Sequence, residues 1–136
     1  MVKQGSIIKV NFNPQSGHEQ AGYRPAVVIS NDIFNIKTHM IIVCPVTSKV
    51  NYYPTNYVLE DTKLIHGSVL CEHIRSVDYE SRNIVFKEKL SDNDLISVIT
   101  LMNACIEEWD TSCFFMFKKN VLYDKIFSSK EVQDYG

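Results

Sequence analysis

The amino-acid sequence predicts a mainly β fold, a small and strongly bent barrel of short strands finished by one C-terminal helix. Three observations lead there. Six short stretches rich in β-branched and aromatic residues lie between residues 5 and 87, separated by turn-forming residues. After residue 90 one longer stretch carries apolar residues at helical spacing. The chain has 136 residues, 45% of them hydrophobic, which suits one domain with a real core. Many short strands with a single terminal helix close best as a barrel.

The elements follow in order. Gly5 to Phe12 alternates apolar residues at Ile8, Val10 and Phe12, the pattern of a half-buried strand. Asn13-Pro14-Gln15-Ser16-Gly17 starts a turn and a loop that runs on to Gly22. Arg24 to Ser30 reads as a strand, with Ser30 placed to cap a short helix over Asn31–Asn35. Met40 to Val46 is continuously apolar, as expected of a strand buried on both faces. Pro45 cannot donate to a ladder, so it should mark that strand's end or an edge. Asn56–Glu60, Ser68–Ile74 and Asn83–Lys87 supply three more strand candidates. Leu95, Val98, Ile99, Met102, Cys105, Ile106 and Trp109 form one helical stripe, started by Ser91 with Asp92 and Asp94. That stripe reads as core or subunit contact. Residues 110–136 hold two apolar clusters, Cys113-Phe114-Phe115-Met116-Phe117 and Val121-Leu122-Tyr123, which suit an extra helix, a strand or an arm. The expected division is a domain over 1–109 and an extension of open role over 110–136.

Composition narrows the function. No run approaches the 18 or so apolar residues of a membrane span, and Met1-Val2-Lys3-Gln4-Gly5 is no signal peptide. A soluble cytoplasmic protein is expected. Cys44, Cys71, Cys105 and Cys113 show no CxxC pairing and sit mostly in apolar runs, so buried thiols are expected rather than disulfides or a metal site. The net charge of -2 divides unevenly. Residues 1–90 hold 10 Lys+Arg against 8 Asp+Glu, and residues 91–136 hold 4 against 8. The chain as a whole lacks the basic signature of nucleic-acid binding, yet its first two thirds have room for a local basic groove.

The most informative stretch is Glu19-Gln20-Ala21-Gly22-Tyr23-Arg24-Pro25, which leads into Ala26-Val27-Val28-Ile29. Gly22 allows a backbone bend. Pro25 forces Arg24 into extended backbone, so the arginine should stand at the mouth of a strand and face the loop. A forked, always-charged donor there suits a phosphate or a carboxylate, or closes the loop as a surface salt bridge. Thr47-Ser48-Lys49 places two hydroxyls and an ammonium at the end of another strand.

Several pieces in fixed order resemble the MazF/PemK family of type II toxin–antitoxin toxins, which are small endoribonucleases. They are Gly5-Ser6-Ile7-Ile8 with Val10-Asn11-Phe12-Asn13-Pro14, then Glu19 to Val28, Ser30-Asn31, Cys44-Pro45-Val46-Thr47-Ser48 and Ile74-Arg75-Ser76-Val77-Asp78. Together they span roughly residues 5–109. The resemblance implies an SH3-like barrel with a C-terminal helix, usually homodimeric, and an antitoxin partner that folds across the RNA groove. It also implies sequence-specific, cofactor-free and metal-independent cleavage of single-stranded RNA. In that reaction the RNA's own 2′-hydroxyl attacks the adjacent phosphate, leaving a 2′,3′-cyclic phosphate and a 5′-hydroxyl end.

By the same resemblance Arg24 and Thr47 occupy catalytic positions. A guanidinium is a poor base, so Arg24 is assigned to stabilising the phosphorane and Thr47 to donating to a phosphate oxygen. Glu19 matches the family's loop glutamate and either accepts a proton or orders the loop. Gln20, Ser48 and Lys49 are expected to help hold RNA, although Lys49 also suits a solvated surface charge. Phe12, Asn13 and Tyr23 flank the site and offer a stacking surface, with Phe12 equally suited to the core by its strand parity. His18 stands where the family often has serine, as an acid–base group or a loop surface residue. Glu72-His73-Ile74-Arg75 departs from the usual Asp-Gln-(Val/Ile)-Arg. His73 there replaces glutamine as a base contact, while Arg75 suits RNA or an ion pair with Asp78 or Glu72. His39 and His66 read as structural. The rival reading is a non-catalytic toxin of the same fold that grips a protein such as DNA gyrase through Glu107–Trp109.

Overall fold

In the computed structural model, which describes residues 2–13 and 22–107, the chain runs β1 (Ser6–Asn11), β2 (Tyr23–Val28), α1 (Asp32–Thr38), β3 (Met40–Thr47), β4 (Asn56–Val58), β5 (Ser68–Leu70), β6 (Arg75–Asp78), β7 (Val85–Lys89) and α2 (Asp92–Ala104). The strands lie in the order β4-β5-β3-β2-β1-β7, with β6 also on β3. Every pairing is antiparallel. The mainly β, barrel-like architecture with a terminal helix is the one expected, built as an open path with β4 and β7 at its ends. The expected readings of the 14–21 loop, Trp109 and the 110–136 clusters fall outside the described residues.

β3 organises the rest because it is apolar on both sides. One face gives Ile41 and Val43 to a core with Ile8, Val10, Phe12, Ala26, Val28 and Val77. The other gives Cys44 and Val46 to a second core, which α2 covers with Val98 and Leu101. The alternation at Ile8, Val10 and Phe12 therefore places those three together as expected. β1 is not half-buried, however: Ile7 is fully buried too and packs in the second core.

Four boundaries differ from expectation. Asn31, not Ser30, caps α1, its side-chain oxygen accepting from Phe34 N at 2.8 Å. Ser30 is drawn inward instead, where its hydroxyl accepts from Ile42 N and donates to Asn35. Pro45 does not end β3. It pairs with Ala26 inside the sheet, where β3's other edge passes from β6, ending at Val43, to β5, starting at Val46. Such a gap tolerates a residue without an N–H. Ser68–Ile74 is a strand only over Ser68–Leu70, because the chain turns after Leu70, where His73 N donates to Leu70 O at 3.1 Å, and β6 starts at Arg75. Finally, α2 ends at Ala104, so Cys105 and Ile106 lie beyond the helix and are exposed in the single chain, outside its core. Cys44 and Cys71 are buried as expected. The neighbouring Cys44 thiol and burial push the Cys71 thiol well up, so it stays protonated and inert.

Two carboxylates fasten α2 and β7 to the loop before β5. Ser91 caps α2 through Asp94 N, with Asp92 and Asp94 in the first turn, as expected, and Asp94 is fully buried. It accepts from the Tyr57 hydroxyl at 2.7 Å and Asp61 N at 3.1 Å. Burial, with the Asp94 charge adding to it, pushes the Tyr57 hydroxyl far above its ordinary value, which keeps it a donor. Asp94→Ala removes the acceptor of the buried Tyr57 hydroxyl and of the partly buried Asp61 N–H. It should cost about 3 kcal/mol in urea unfolding.

Glu88 on β7 accepts from the backbone N–H groups of Lys63, Leu64 and Ile65 at 3.0, 2.7 and 2.8 Å. Partial burial pushes its carboxyl up, but the three donors, with His66 nearby, outweigh that and hold it below its ordinary 4.5. The folded value thus lies below the unfolded one. The stabilisation is full above about pH 4.5 and is lost as acid titrates through the lower folded value. Glu88→Gln should cost about 1 kcal/mol at neutral pH. Urea unfolding at a series of pH values should show the difference between variant and wild type shrinking as the pH falls below 4.5.

Candidate functional site

The antiparallel register builds the site. β2 and β3 pair Val28 with Val43, Val27 with Cys44 and Ala26 with Pro45. That pairing ends at Ala26 and Pro45, and Arg24 and Thr47 lie two residues further along their strands. Side chains alternate along a strand, so both extend the row that lower down contains Ala26, Val28 and Val43. The row leaves the core and becomes the wall of a cleft.

Arg24 and Thr47 line this cleft of about 490 Å³ together with Ser48, Lys49, Asn51, Tyr53, Asn56, Leu70, Glu72 and His73. Of the expected site residues it gathers Arg24, Thr47, Ser48, Lys49 and His73. Arg24 is exposed, at a strand mouth, as Pro25 demands. Gly22 takes φ +80°, the bend expected before it, and its carbonyl accepts from Phe12 N at 2.9 Å. Ser48 and Lys49 are exposed just past the end of β3, where Lys49 N approaches Thr47 Oγ1 at 3.4 Å. Among the described residues the cleft sets two cations, Arg24 and Lys49, beside one carboxylate, Glu72, in a chain of net charge -2.

Thr47 is held by what lies beneath it. It pairs with Ser68 of β5, and Gly67 lies so close that a Cβ there would fall 1.9 Å from the Thr47 carbonyl oxygen. Ser68 Oγ also accepts from Asn51 N at 2.9 Å, and Asn51 Oδ1 accepts from Tyr53 N at 3.0 Å. These bonds fold the loop after β3 back over the sheet and bring Tyr53, half exposed, to the cleft. Sequence reasoning missed Tyr53, Asn51, Asn56 and Glu72 as cleft residues. The Tyr52-Tyr53 pair, which begins three residues after Lys49, was the available signal, since aromatic residues near a cation suit base stacking.

Other expected contacts lie elsewhere. Phe12 is fully buried, so its ring packs in the core and offers no face to a base. Arg75 is anchored on that same residue: its Nη1 donates to Phe12 O at 3.2 Å and its guanidinium lies 5.2 Å from the ring centroid. A carbonyl and an aromatic face are its partners, not the carboxylates of Asp78 or Glu72. Asn13 fastens the loop ends, its Oδ1 accepting from Gly22 N at 2.9 Å. Tyr23, next to Arg24 on its strand, points to the opposite face. Its hydroxyl donates to Asn83 O at 3.3 Å, and Lys9 Nζ lies 6.0 Å from its ring. His39 takes the left-handed C-cap of α1 and pairs with Glu80 at 3.3 Å, a structural role as expected. His18, Glu19 and Gln20 lie outside the described residues. Among the described residues no three His, Cys, Asp or Glu side chains gather to hold a metal ion. No helix among them is long and apolar enough to cross a membrane.

Fold and site together define a small barrel-like β protein with an arginine–hydroxyl cleft at one end of its central strand. Comparison with known proteins makes this specific: residues 3–104 match the PemK-like, MazF-like toxins of type II toxin–antitoxin systems, and the chain belongs to that family. It is 33% identical over 102 residues to the endoribonuclease toxin MazF of Escherichia coli K12, an alignment covering 75% of this chain and 91% of that protein. The crystal structure of MazF from Deinococcus radiodurans superposes with a TM-score of 0.72 at 34% identity, covering 77% of this chain and 96% of that one. A crystal structure of MazE–MazF from the same organism gives 0.67 at 31% identity, covering 77% and 95%.

Proposed function

We propose that this chain is the endoribonuclease toxin of a type II toxin–antitoxin pair, cutting single-stranded RNA at a short sequence without a metal ion. The observation that carries the reading is the single cleft that Arg24, Thr47 and Lys49 line together. A phosphodiester seated there meets a guanidinium fork, a hydroxyl donor and, at Lys49, a second charge. Attack by the RNA's own 2′-hydroxyl needs no metal-bound water. It needs donors around the phosphorane, which Arg24 and Thr47 supply, and it ends in a 2′,3′-cyclic phosphate and a 5′-hydroxyl. Tyr53 offers a stacking face for a neighbouring base, and Ser48, Asn51 and Asn56 offer polar contacts to base edges.

The relatives include MazE–MazF from Deinococcus radiodurans, which supports an antitoxin partner for this chain. An acidic or amphipathic segment that folds on binding suits the cationic cleft. We further assign the chain a homodimeric, cytoplasmic existence, with residues 1–109 as the toxin domain and 110–136 as an extension to it. The test is incubation of the purified protein with total RNA and a mixed-sequence oligonucleotide in EDTA. Cuts at one short motif are expected. Intact RNA from a folded, antitoxin-free protein would move the reading to a non-catalytic module that grips a protein partner.

A further inference from the structure

Arg24 can serve a phosphate only if its backbone is held, and it stands two residues past Gly22, at the start of β2. The groups that hold this point come from β6 and from the turn between β6 and β7. Arg82 in that turn sends Nη1 to two carbonyls near the end of β1, Asn11 O at 3.0 Å and Asn13 O at 2.9 Å. Arg75 of β6 donates to the carbonyl between them, Phe12 O, at 3.2 Å. Two guanidiniums thus fix three consecutive carbonyls, a task that suits their rigid forks of donors.

The fixed stretch passes its position across to β2. Phe12 N donates to Gly22 O at 2.9 Å, and Asn13 Oδ1 accepts from Gly22 N at 2.9 Å. Asn13 is itself set by Asn11 Oδ1, which accepts from Asn13 N at 2.9 Å. Gly22 is therefore bonded through both its N–H and its carbonyl, and its φ of +80° directs the chain into Tyr23 and Arg24. The same turn also reaches β2 directly, because Asn83 O, next to Arg82, accepts from the Tyr23 hydroxyl at 3.3 Å. The Asn13 bonds are exposed, so each adds little to stability. What they supply is position.

We propose that Arg82 is a positioning residue for the cleavage reaction, acting through Asn13 and Gly22 on Arg24. The proposal rests on the ribonuclease reading of the cleft. Arg82 does not line that cleft. Its loss frees the end of β1 and Gly22 to shift together, and a donor displaced by about 1 Å from developing charge loses much of its effect. Arg75 shares the task at Phe12, but its guanidinium also lies 5.2 Å from the buried Phe12 ring, so Arg82 is the cleaner probe.

The experiment is single-turnover cleavage of an RNA oligonucleotide that carries a mapped cut site. Wild type, Arg82→Gln, Arg24→Ala and the double variant are compared, each checked for folding by circular dichroism. Arg82→Gln should slow the cleavage step about tenfold, with a thermal midpoint within about 5 °C of wild type. Affinity and its salt dependence, read on the same oligonucleotide with a 2′-deoxy sugar before the scissile phosphate, should not change, because Arg82 neutralises no phosphate. In the Arg24→Ala background Arg82→Gln should cost no more than about twofold, because the group it positions is gone. A full tenfold loss in both backgrounds overturns the proposal, and so does a wild-type rate in Arg82→Gln. A loss of affinity with a shallower salt dependence also overturns it and makes Arg82 a direct RNA contact. If Arg82→Gln does not fold, Asn13→Ala takes its place in the same cycle, and equal losses in both backgrounds overturn the proposal there. Wild type that cuts no RNA sinks the ribonuclease reading itself, and this inference with it.

Discussion

Gly67→Ala is expected to lower the thermal midpoint by roughly 20 °C and to abolish RNA cleavage, although Gly67 contributes no functional group. Its backbone sits at φ +129°, which residues with a Cβ rarely adopt. A Cβ there would lie 1.9 Å from the Thr47 carbonyl oxygen, 2.9 Å from its carbon and 3.0 Å from Ser48 Cα. All three contacts are backbone, so no side-chain rotation relieves them. Strain plus overlap of this kind costs about 4 kcal/mol or more, against a total of about 5–15 for a domain. At about 5 °C per kcal/mol for a domain of this size, the shift follows. Any molecules that still fold must displace Thr47 and Ser48 from the cleft. Differential scanning calorimetry checks the first effect and an RNA cleavage assay the second. A wild-type midpoint would show that Gly67 does not lie where it is described.

Arg24→Ala is the complementary case, with a large loss of activity at little cost in stability. Arg24 is exposed at the mouth of β2, so its removal leaves no core cavity, and urea unfolding should change by only about 0.5 kcal/mol. Cleavage should fall by about 10²- to 10³-fold in kcat, the usual cost of removing one donor from developing charge. Arg24→Lys should recover only part of it, because an ammonium keeps the charge but loses the planar fork. A variant that cleaves within a few-fold of wild type would remove Arg24 from the chemistry.

The legible parts of the fold were those set by local pattern. The parity of Ile8, Val10 and Phe12, the unbroken apolar run of β3 and the Ser91 cap of α2 all express themselves within one element. Arg24 was legible for the same reason, since Pro25 and Gly22 act on it through adjacent backbone. What the chain concealed depends on distant partners. Whether Ser30 or Asn31 caps α1 turned on Ser30 bonding to Ile42 N, twelve residues on. Arg75 finds its partner at Phe12, sixty-three residues away, a pairing that no local spacing announces. Tyr53 and Glu72 join Arg24 only because Ser68 and Asn51 fold one loop over the sheet and β5 carries another beside it. The residues alone set a cation beside hydroxyls and left a ligand-holding arginine and a surface arginine closing the loop by a salt bridge equally open. The ordered family motifs separated those two.

The central claim is that this cleft uses the RNA's own 2′-hydroxyl as the nucleophile. The most direct measurement compares two oligonucleotides that carry the mapped cut site, one all-ribose and one with a single 2′-deoxy sugar immediately before the scissile phosphate, with EDTA present. The all-ribose strand should be cut to a 2′,3′-cyclic phosphate and a 5′-hydroxyl, and the substituted strand should stay intact at that position. Equal cutting of both strands would contradict the claim.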